Sequence, residues 1–460
     1  MAERPGRRPA GAGRSRRGAR EVALRACLRV EEGARSREAL EAELARAPGL
    51  AAADRHLATE LTYGTVRWLR RFDFLLARTS RRPLARLQPP LRWALRMALY
   101  QLEQMKIPEH AALHETLEAL RAVAGPAPVG YANGVLREAL RRRGEWSWPD
   151  DGSPGSLAVR HSFPDWLARR WVERYGGEEA ERLMRTMNVP PPLTVRLNRL
   201  RARPQEALER LRAAGLEARA GRYEPQALEV RGAAPRELPG WEEGWYQVQS
   251  EASILVGRTV GARPGERVLD VAAAPGGKST HLAEQMEDRG LVLAVDVDAR
   301  RLGRVEENAR RLGLRSIRVL AEDARHLAER LEAASFDRLL VDAPCTGTGV
   351  LNRRAEARWR KRPQDVGRAA RLQAEILDGV APLLRRGGTL VYSTCTLEPE
   401  ENRETVESFL RRWPGYRWDP LAPWLPPALA GRVEREGEIQ FLPQRDGLDG
   451  HYIARLVREA

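Results

Sequence analysis

Along this chain the spacing of apolar residues changes character twice. From Glu21 to Arg143 they recur every three to four positions: Ala23, Ala26, Cys27 and Val30 fall on one face, which predicts an amphipathic helix with Cys27 packed in a core. The segments Asp54–Ala77 and Leu91–Met105 repeat the habit and offer Trp68, Phe72, Trp93 and Tyr100 as bulky core residues. At helical spacing, mutual packing accounts for these aromatics better than a surface for stacking RNA bases does. Gly125 to Pro128 interrupts the pattern once, and the stretch from Trp146 to Ser156 reads as a linker.

Between Leu157 and Gly244 the pattern is mixed. Helices are expected over 163–176 and 178–188, a strand over 194–198, and a helix over 205–215 introduced by Pro204 and ended by Gly215. Short strands at 216–220 and 228–231 complete a small α+β module. From Tyr246 onward, apolar runs at 267–271, 291–296, 317–320, 336–342 and 388–394 alternate with amphipathic helices such as 278–286 and 300–313. Nearly continuous apolar strands separated by helices belong to a parallel sheet covered on both faces. The fold class expected is α/β: a C-terminal Rossmann-like sheet over 246–460, after an all-α domain over 21–145 and a small α+β connecting domain over 157–244.

Ligands of such sheets bind outside the carboxyl ends of the strands. The first strand runs into Ala272, Ala273, Ala274, Pro275, Gly276, Gly277 and Lys278, a turn of small residues that lets backbone approach a ligand before a helix N-terminus. It is not a dinucleotide fingerprint, nor a Walker A loop, whose first glycine is replaced by Ala272 and which Pro275 stiffens. The second strand ends at Asp296, about twenty residues after Gly276, the separation at which a carboxylate reaches ribose hydroxyls. Asp323 follows the third strand, toward an adenine edge, and Asp342 ends the fourth. Any one of these aspartates could be a helix cap. Together, at successive strand ends, they point to a ribose-bearing cofactor without pyrophosphate, S-adenosyl-L-methionine.

Two strand ends also carry thiols. The chain has three cysteines in 460 residues and no Cys-x-x-Cys or Cys/His cluster, so neither a disulfide framework nor a metal is expected, and a reducing cytoplasm is. No apolar run is long enough for a membrane span. Cys345 stands in Asp342-Ala-Pro-Cys, where enzymes that methylate an exocyclic amine carry an aromatic, and this argues for chemistry at carbon. Cys395 lies between Thr394 and Thr396 after the last apolar run. Cytosine C5 is too weak a nucleophile to take a sulfonium methyl unaided, but thiolate addition at C6 converts it into an enamine-like carbon that can.

The formal charge of +15 favours a polyanionic partner, although an Arg- and Ala-rich composition throughout the chain explains much of it. Residues 1–20 are Arg-rich without the large apolar residues of a signal or transit helix and are read as a disordered basic tail. In the run from Asn352 to Pro363, Arg353, Arg354, Arg358, Arg360, Lys361 and Arg362 are candidates for phosphate contacts and Trp359 for stacking, the alternative being a solvated helix face.

Taken in order, Ala272–Lys278, Asp342–Val350 and Tyr392–Asn402 resemble the motifs of the bacterial 16S ribosomal RNA cytosine-C5 methyltransferases of the Fmu (Sun, RsmB) type. The helical part looks like that family's NusB-like RNA-binding domain, the middle module like its connecting domain, and Val248–Ser253 like its entry into the catalytic domain. The resemblance implies Cys395 as nucleophile and Cys345 as the residue that helps release the methylated RNA. It implies cofactor contacts from Ala272 through Lys278 and from Asp296, Asp323 and Asp342, the last with a second role at the cytosine edge. It also points to cytosine 967 of small-subunit RNA, which must be single-stranded or flipped out for C6 to be reached; a monomer working without metal or membrane is expected. The chain departs from the pattern at Ala272, commonly cysteine, and at Thr396, commonly serine, while Asp446–Leu456 resembles the family's closing strand segment, with His451 and Tyr452 where aromatics are typical. The rival reading is a noncatalytic RNA-binding ribosome-assembly factor that kept the fold.

Overall fold

A computed structural model describes residues 17–433 and 435–459. The chain forms two compact units, one of residues up to Glu181 together with Arg354–Trp359, the other of Arg182–Arg353 and Arg360 onward. Among the described residues no helix is long and apolar enough to cross a membrane.

The first unit is helical, with helices at Ala19–Glu31, Ser36–Ala45, Ala52–Arg67, Leu69–Thr79, Pro89–Glu103, Glu109–Ala124 and Val129–Arg141. The apolar stripes meet in one core that holds Cys27, Phe72, Trp93 and Tyr100, with Trp68 half-buried at its margin. Burial pushes the Cys27 thiol up to about 12, which leaves it an inert packing group. The periodic run from Asp54 divides at Trp68, the turn between two helices. Most of the expected basic tail, residues 1–16, lies outside the described residues. Ala19 and Arg20 already belong to the first helix, and Arg20 Nε donates to Gln101 Oε1 at 2.7 Å.

The same unit overturns the expectation for Arg358 and Trp359. Arg358 is fully buried, its Nη1 donates to the Ser162 carbonyl at 3.0 Å, and its guanidinium lies 4.0 Å over the Phe163 ring. Trp359 Nε1 donates to the Val66 carbonyl at 2.7 Å. Both side chains are structural, because a planar cation and an indole each bring a large apolar body that can be buried once their N–H groups find carbonyls.

In the second unit, a small antiparallel sheet has the order β2-β3-β1-β4, from β1 (Leu193–Leu197), β2 (Glu217–Ala220), β3 (Ala227–Arg231) and β4 (Tyr246–Val248). Val195, Leu197, Val230 and Tyr246 pack there with Leu208 and Leu211 of the helix Pro204–Ala213. The sheet thus takes in three residues beyond Gly244, a strand too short to show a period in the sequence.

The large sheet runs β10-β12-β9-β8-β5-β6-β7, from β5 (Arg267–Val271), β6 (Leu291–Asp296), β7 (Ile317–Ala321), β8 (Phe336–Asp342), β9 (Leu384–Thr394), β10 (Tyr416–Trp418) and β12 (Tyr452–Arg458). A further strand, β11 (Glu438–Gln440), pairs with β12 off this path. Strands β5 to β9 are parallel, and β12 closes against β9 antiparallel, Tyr452 opposite Thr394. Chain order reverses between β5 and β8, so the crevice beyond the ends of β5, β6 and β8 is the place where such a sheet binds a ligand.

Candidate active site

The loop after β5 is held open by side chains behind it. Ala272 has φ 57°, a left-handed conformation that costs a residue with a Cβ about 1 kcal/mol and is tolerated where the surroundings fix it. Gly276, at φ 97°, opens the helix Gly277–Gln285 in a conformation that favours glycine. The loop's carbonyls are engaged from outside: Arg301 Nη2 donates to Ala274 O at 2.7 Å, Asn308 Nδ2 to Pro275 O at 3.0 Å, Thr280 Oγ1 to Gly276 O at 2.8 Å, and Arg196 Nη1 to Gly277 O at 2.6 Å. Beneath the loop Asp270 is fully buried; Ser279 Oγ donates to its Oδ2 at 2.5 Å, while its Oδ1 has no partner among the described residues. Burial pushes the Asp270 carboxyl up to about 7.

Three further aspartates stand at the strand ends in different states. Asp296 is buried, with Oδ2 accepting the Ala274 N–H at 3.2 Å and Oδ1 the Asp298 N–H at 3.0 Å; the helix cap next to it is Asp298, not Asp296. Asp323 is the cap of a short helical turn: its Oδ1 accepts the Arg325 N–H at 3.0 Å, and hydrogen bonds from the Arg325 guanidinium hold its carboxyl down at about 2. Asp342 accepts from Lys278 Nζ on one oxygen and Ser393 Oγ on the other, both at 2.7 Å. Burial works to raise its carboxyl, but the Lys278 ammonium and these hydrogen bonds outweigh burial and keep it below the usual range.

The two strand-end thiols meet. Cys345 follows β8 and Cys395 follows β9, neighbours paired Asp342 to Ser393, and their Sγ atoms are 3.4 Å apart, neither in a disulfide and both half-buried. The shared S–H···S contact, followed by burial, pushes the Cys345 thiol well above its ordinary value. Below the sulfurs, Gly349 N–H donates to the Cys395 carbonyl at 3.0 Å, and Gly450 N–H to the Gly349 carbonyl at 2.8 Å. A Cβ on Gly349 would stand 2.2 Å from Gly450 O, so only glycine allows the two loops to approach this closely. His451 and Tyr452 are both buried beside this turn, and burial brings the His451 imidazole down to about 4, neutral at ordinary pH.

Sequence reading missed three participants. Glu401, inside the quoted Tyr392–Asn402 motif, looks like part of a solvated acidic loop, yet it is fully buried and bonds to both thiol loops. Gln373, on the helix Pro363–Val380, donates to the Pro344 carbonyl at 2.9 Å. Arg196, on β1, is fully buried against the helix that follows the small-residue loop and pairs with Glu284 at 2.7 Å. An arginine inside an alternating strand was the only available signal for the last. Among the described residues no group of His, Cys, Asp and Glu forms a metal site.

Sheet order and strand-end chemistry put the second unit among the Rossmann-like methyltransferases. Family models agree in three places: 16S rRNA methyltransferase RsmB/F matches residues 258–457, the NusB family residues 17–141, and the RsmF/B-like ferredoxin-like domain residues 163–237. The probable ribosomal RNA small subunit methyltransferase B of Bacillus subtilis is 36% identical over 96% of this chain and 98% of its own length. The ribosomal RNA small subunit methyltransferase B of Pseudomonas syringae pv. tomato is 38% identical over 88% of this chain and 90% of its own. A solved structure, PH0851, superposes with a TM-score of 0.80 at 26% identity over 95% of this chain and 98% of that one. The chain belongs to the RsmB/F family of 16S rRNA methyltransferases, with that family's NusB, ferredoxin-like and catalytic parts in order.

Proposed function

We propose that this chain methylates carbon 5 of a cytosine in 16S ribosomal RNA, cytosine 967 by family likeness, through a transient bond from Cys395 to cytosine C6. The observation that carries the proposal is the pair of sulfurs 3.4 Å apart, next to the Lys278–Asp342 pair at adjoining strand ends. A methyltransferase acting at an amine has no use for two thiols there, whereas an adduct route needs one to attack and gives the second a task in release.

S-adenosylmethionine supplies an electrophilic methyl group when bound. The residues fit it: the loop from Ala272 to Lys278 has only small side chains before its lysine, and Asp270 Oδ1 is an acceptor left unpaired beneath it. Asp296 retains acceptor capacity for ribose hydroxyls beside its two backbone donors. In this reading Asp323, at the end of β7, serves the adenine side while capping its turn.

Cys395 adds through Sγ to C6, and the displaced electron pair makes C5 the nucleophile that takes the methyl. Loss of the C5 proton to a base in the site and departure of Sγ restore the ring. Cys345, its Sγ 3.4 Å from the Cys395 sulfur, is placed to hydrogen-bond that sulfur as it leaves C6, and this is how it helps release. Asp342, oriented by Lys278 and Ser393, faces the cytosine edge.

The test is transfer of tritiated methyl from S-adenosylmethionine to undermethylated small-subunit RNA, with bisulfite sequencing to locate the product. Cys395→Ala is expected to abolish transfer, and Cys345→Ala to leave protein bound to RNA through denaturing gels. Exchanged phenotypes would reverse the two roles. RNA binding with no transfer by the unaltered protein would favour the noncatalytic reading.

A further inference from the structure

One fully buried carboxylate bonds to the residues next to both sulfurs, beside a second tie in which Thr348 Oγ1 donates to Glu398 Oε1 at 3.0 Å. Glu401 Oε2 accepts the Thr346 N–H at 2.8 Å and Gln373 Nε2 at 3.1 Å; its Oε1 accepts from Thr346 Oγ1 and from Thr396 Oγ1, the latter at 3.2 Å. Thr346 and Thr396 are the residues that immediately follow Cys345 and Cys395, and their hydroxyl oxygens are 2.8 Å apart. Gln373 carries the tie to the other side of Cys345 by donating to Pro344 O. Two contacts fix the turn itself: Tyr392 Oη donates to Glu401 O at 2.6 Å, and Asn402 Nδ2 to Thr396 O at 3.1 Å.

No cation is among the partners of Glu401 within the described residues, and burial pushes its carboxyl up. A carboxyl kept fully buried without a counter-charge costs stability, and an apolar residue there would avoid the cost. What an apolar residue cannot do is accept from both loops at once.

Resting on the adduct route proposed above, we propose that Glu401 is a positioning residue that fixes the spacing between the Cys345 and Cys395 sulfurs, and so governs release of the methylated RNA more than formation of the adduct. Formation requires one sulfur at C6. Release requires the second at a set distance from the first, and a misplacement of about 1 Å in such an arrangement costs on the order of 100-fold in rate. Without Glu401 the loops still meet through the threonine hydroxyls, through Thr348 on Glu398 and through Gly349 N–H on the Cys395 carbonyl, but the Thr346 N–H next to Cys345 loses its acceptor and the spacing of the sulfurs loosens.

The experiment compares the full chain with Glu401→Ala and Glu401→Gln, using small-subunit RNA and S-adenosylmethionine. Rapid quenching measures adduct formation, and denaturing gels measure the fraction of protein trapped on RNA at steady state. Glu401→Ala is expected to turn over at least about tenfold more slowly, with the trapped fraction rising toward that of Cys345→Ala. Glu401→Gln should stay within about threefold of the unaltered protein, since its carbonyl accepts the same N–H pair and its amide donates to hydroxyls that also accept. An unchanged trapped fraction in Glu401→Ala, with formation and release slowed alike, overturns the proposal, as does a glutamine variant no better than alanine. Should Glu401→Ala fail to fold, Thr396→Val cuts one strand of the tie and is read for the same rise, its absence overturning the proposal. If the unaltered protein forms neither adduct nor product, the underlying reading fails instead, and the two failures are told apart.

Discussion

Replacing Arg196 by methionine tests how the small sheet supports the loop after β5. Arg196 is fully buried on β1 and spends its donors on Glu284 (Nε to Oε2 at 3.1 Å, Nη2 to Oε1 at 2.7 Å), Gly277 O, Thr280 Oγ1 at 3.0 Å and Gln249 Oε1. Methionine fills much of the volume but leaves a buried carboxylate without its ion-pair partner. Removing one member of a buried pair costs about 3–5 kcal/mol. At roughly 2–4 °C per kcal/mol for a large domain, the melting temperature should fall on the order of 10 °C. The sign with pH follows from Glu284. Burial already raises its carboxyl above the ordinary 4.5, and loss of Arg196 raises it further, so the folded variant holds this proton more tightly than the unfolded chain does. The deficit is therefore smallest near and below pH 4.5, where both states are protonated, and grows as pH rises. Urea unfolding followed by circular dichroism across that range measures it. Arg196→Met with Glu284→Leu should recover most of the loss, because the isolated charge is gone. A single variant within about 1 kcal/mol of the parent at neutral pH, or a double variant no better than the single, would refute the reasoning.

Three other outcomes follow from the structure. Gly349→Ala forces a Cβ to within 2.2 Å of Gly450 O and 2.9 Å of Cys395 O, so methyl transfer should fall on the order of 100-fold while cofactor affinity, by titration calorimetry, is unchanged. Arg358→Leu should cost about 2 kcal/mol of stability and leave the salt slope of RNA affinity unaltered; a phosphate contact would have reduced that slope by about one. Asp270, raised by burial from 3.8 to about 7, binds its proton more tightly in the folded state, so stability should decline as pH rises through that window, and Asp270→Asn should flatten the decline in denaturation curves.

What could be read from the sequence was set by burial on two faces. A parallel strand covered on both sides is a plain apolar run, and the chemistry sits where the run stops, which is how Lys278, Asp342, Cys345 and Cys395 could be singled out together. The geometry that makes them a unit, sulfur to sulfur and ammonium to carboxylate, comes from strand order, which no periodicity encodes. Charged residues were the harder case. Arg358, Arg196 and Glu401 carry the same side chains as their solvated neighbours, and only a partner distant in sequence, Ser162, Glu284 or Thr346, makes each one structural. Asp323 illustrates the converse, a strand-end carboxylate whose visible contacts are those of a cap.

The position of β12 has a consequence for the life of the protein. This strand lies between β10 and β9, and the turn leading into it braces the Cys395 loop through Gly450 and Gly349. It is also the final element of the described chain. Earlier parts can fold as they emerge from the ribosome. The Cys395 loop, however, gains this brace only when β12 and the turn before it, later in the chain, have come into place. A chain folded only as far as β9 thus carries the Cys395 thiol without its brace.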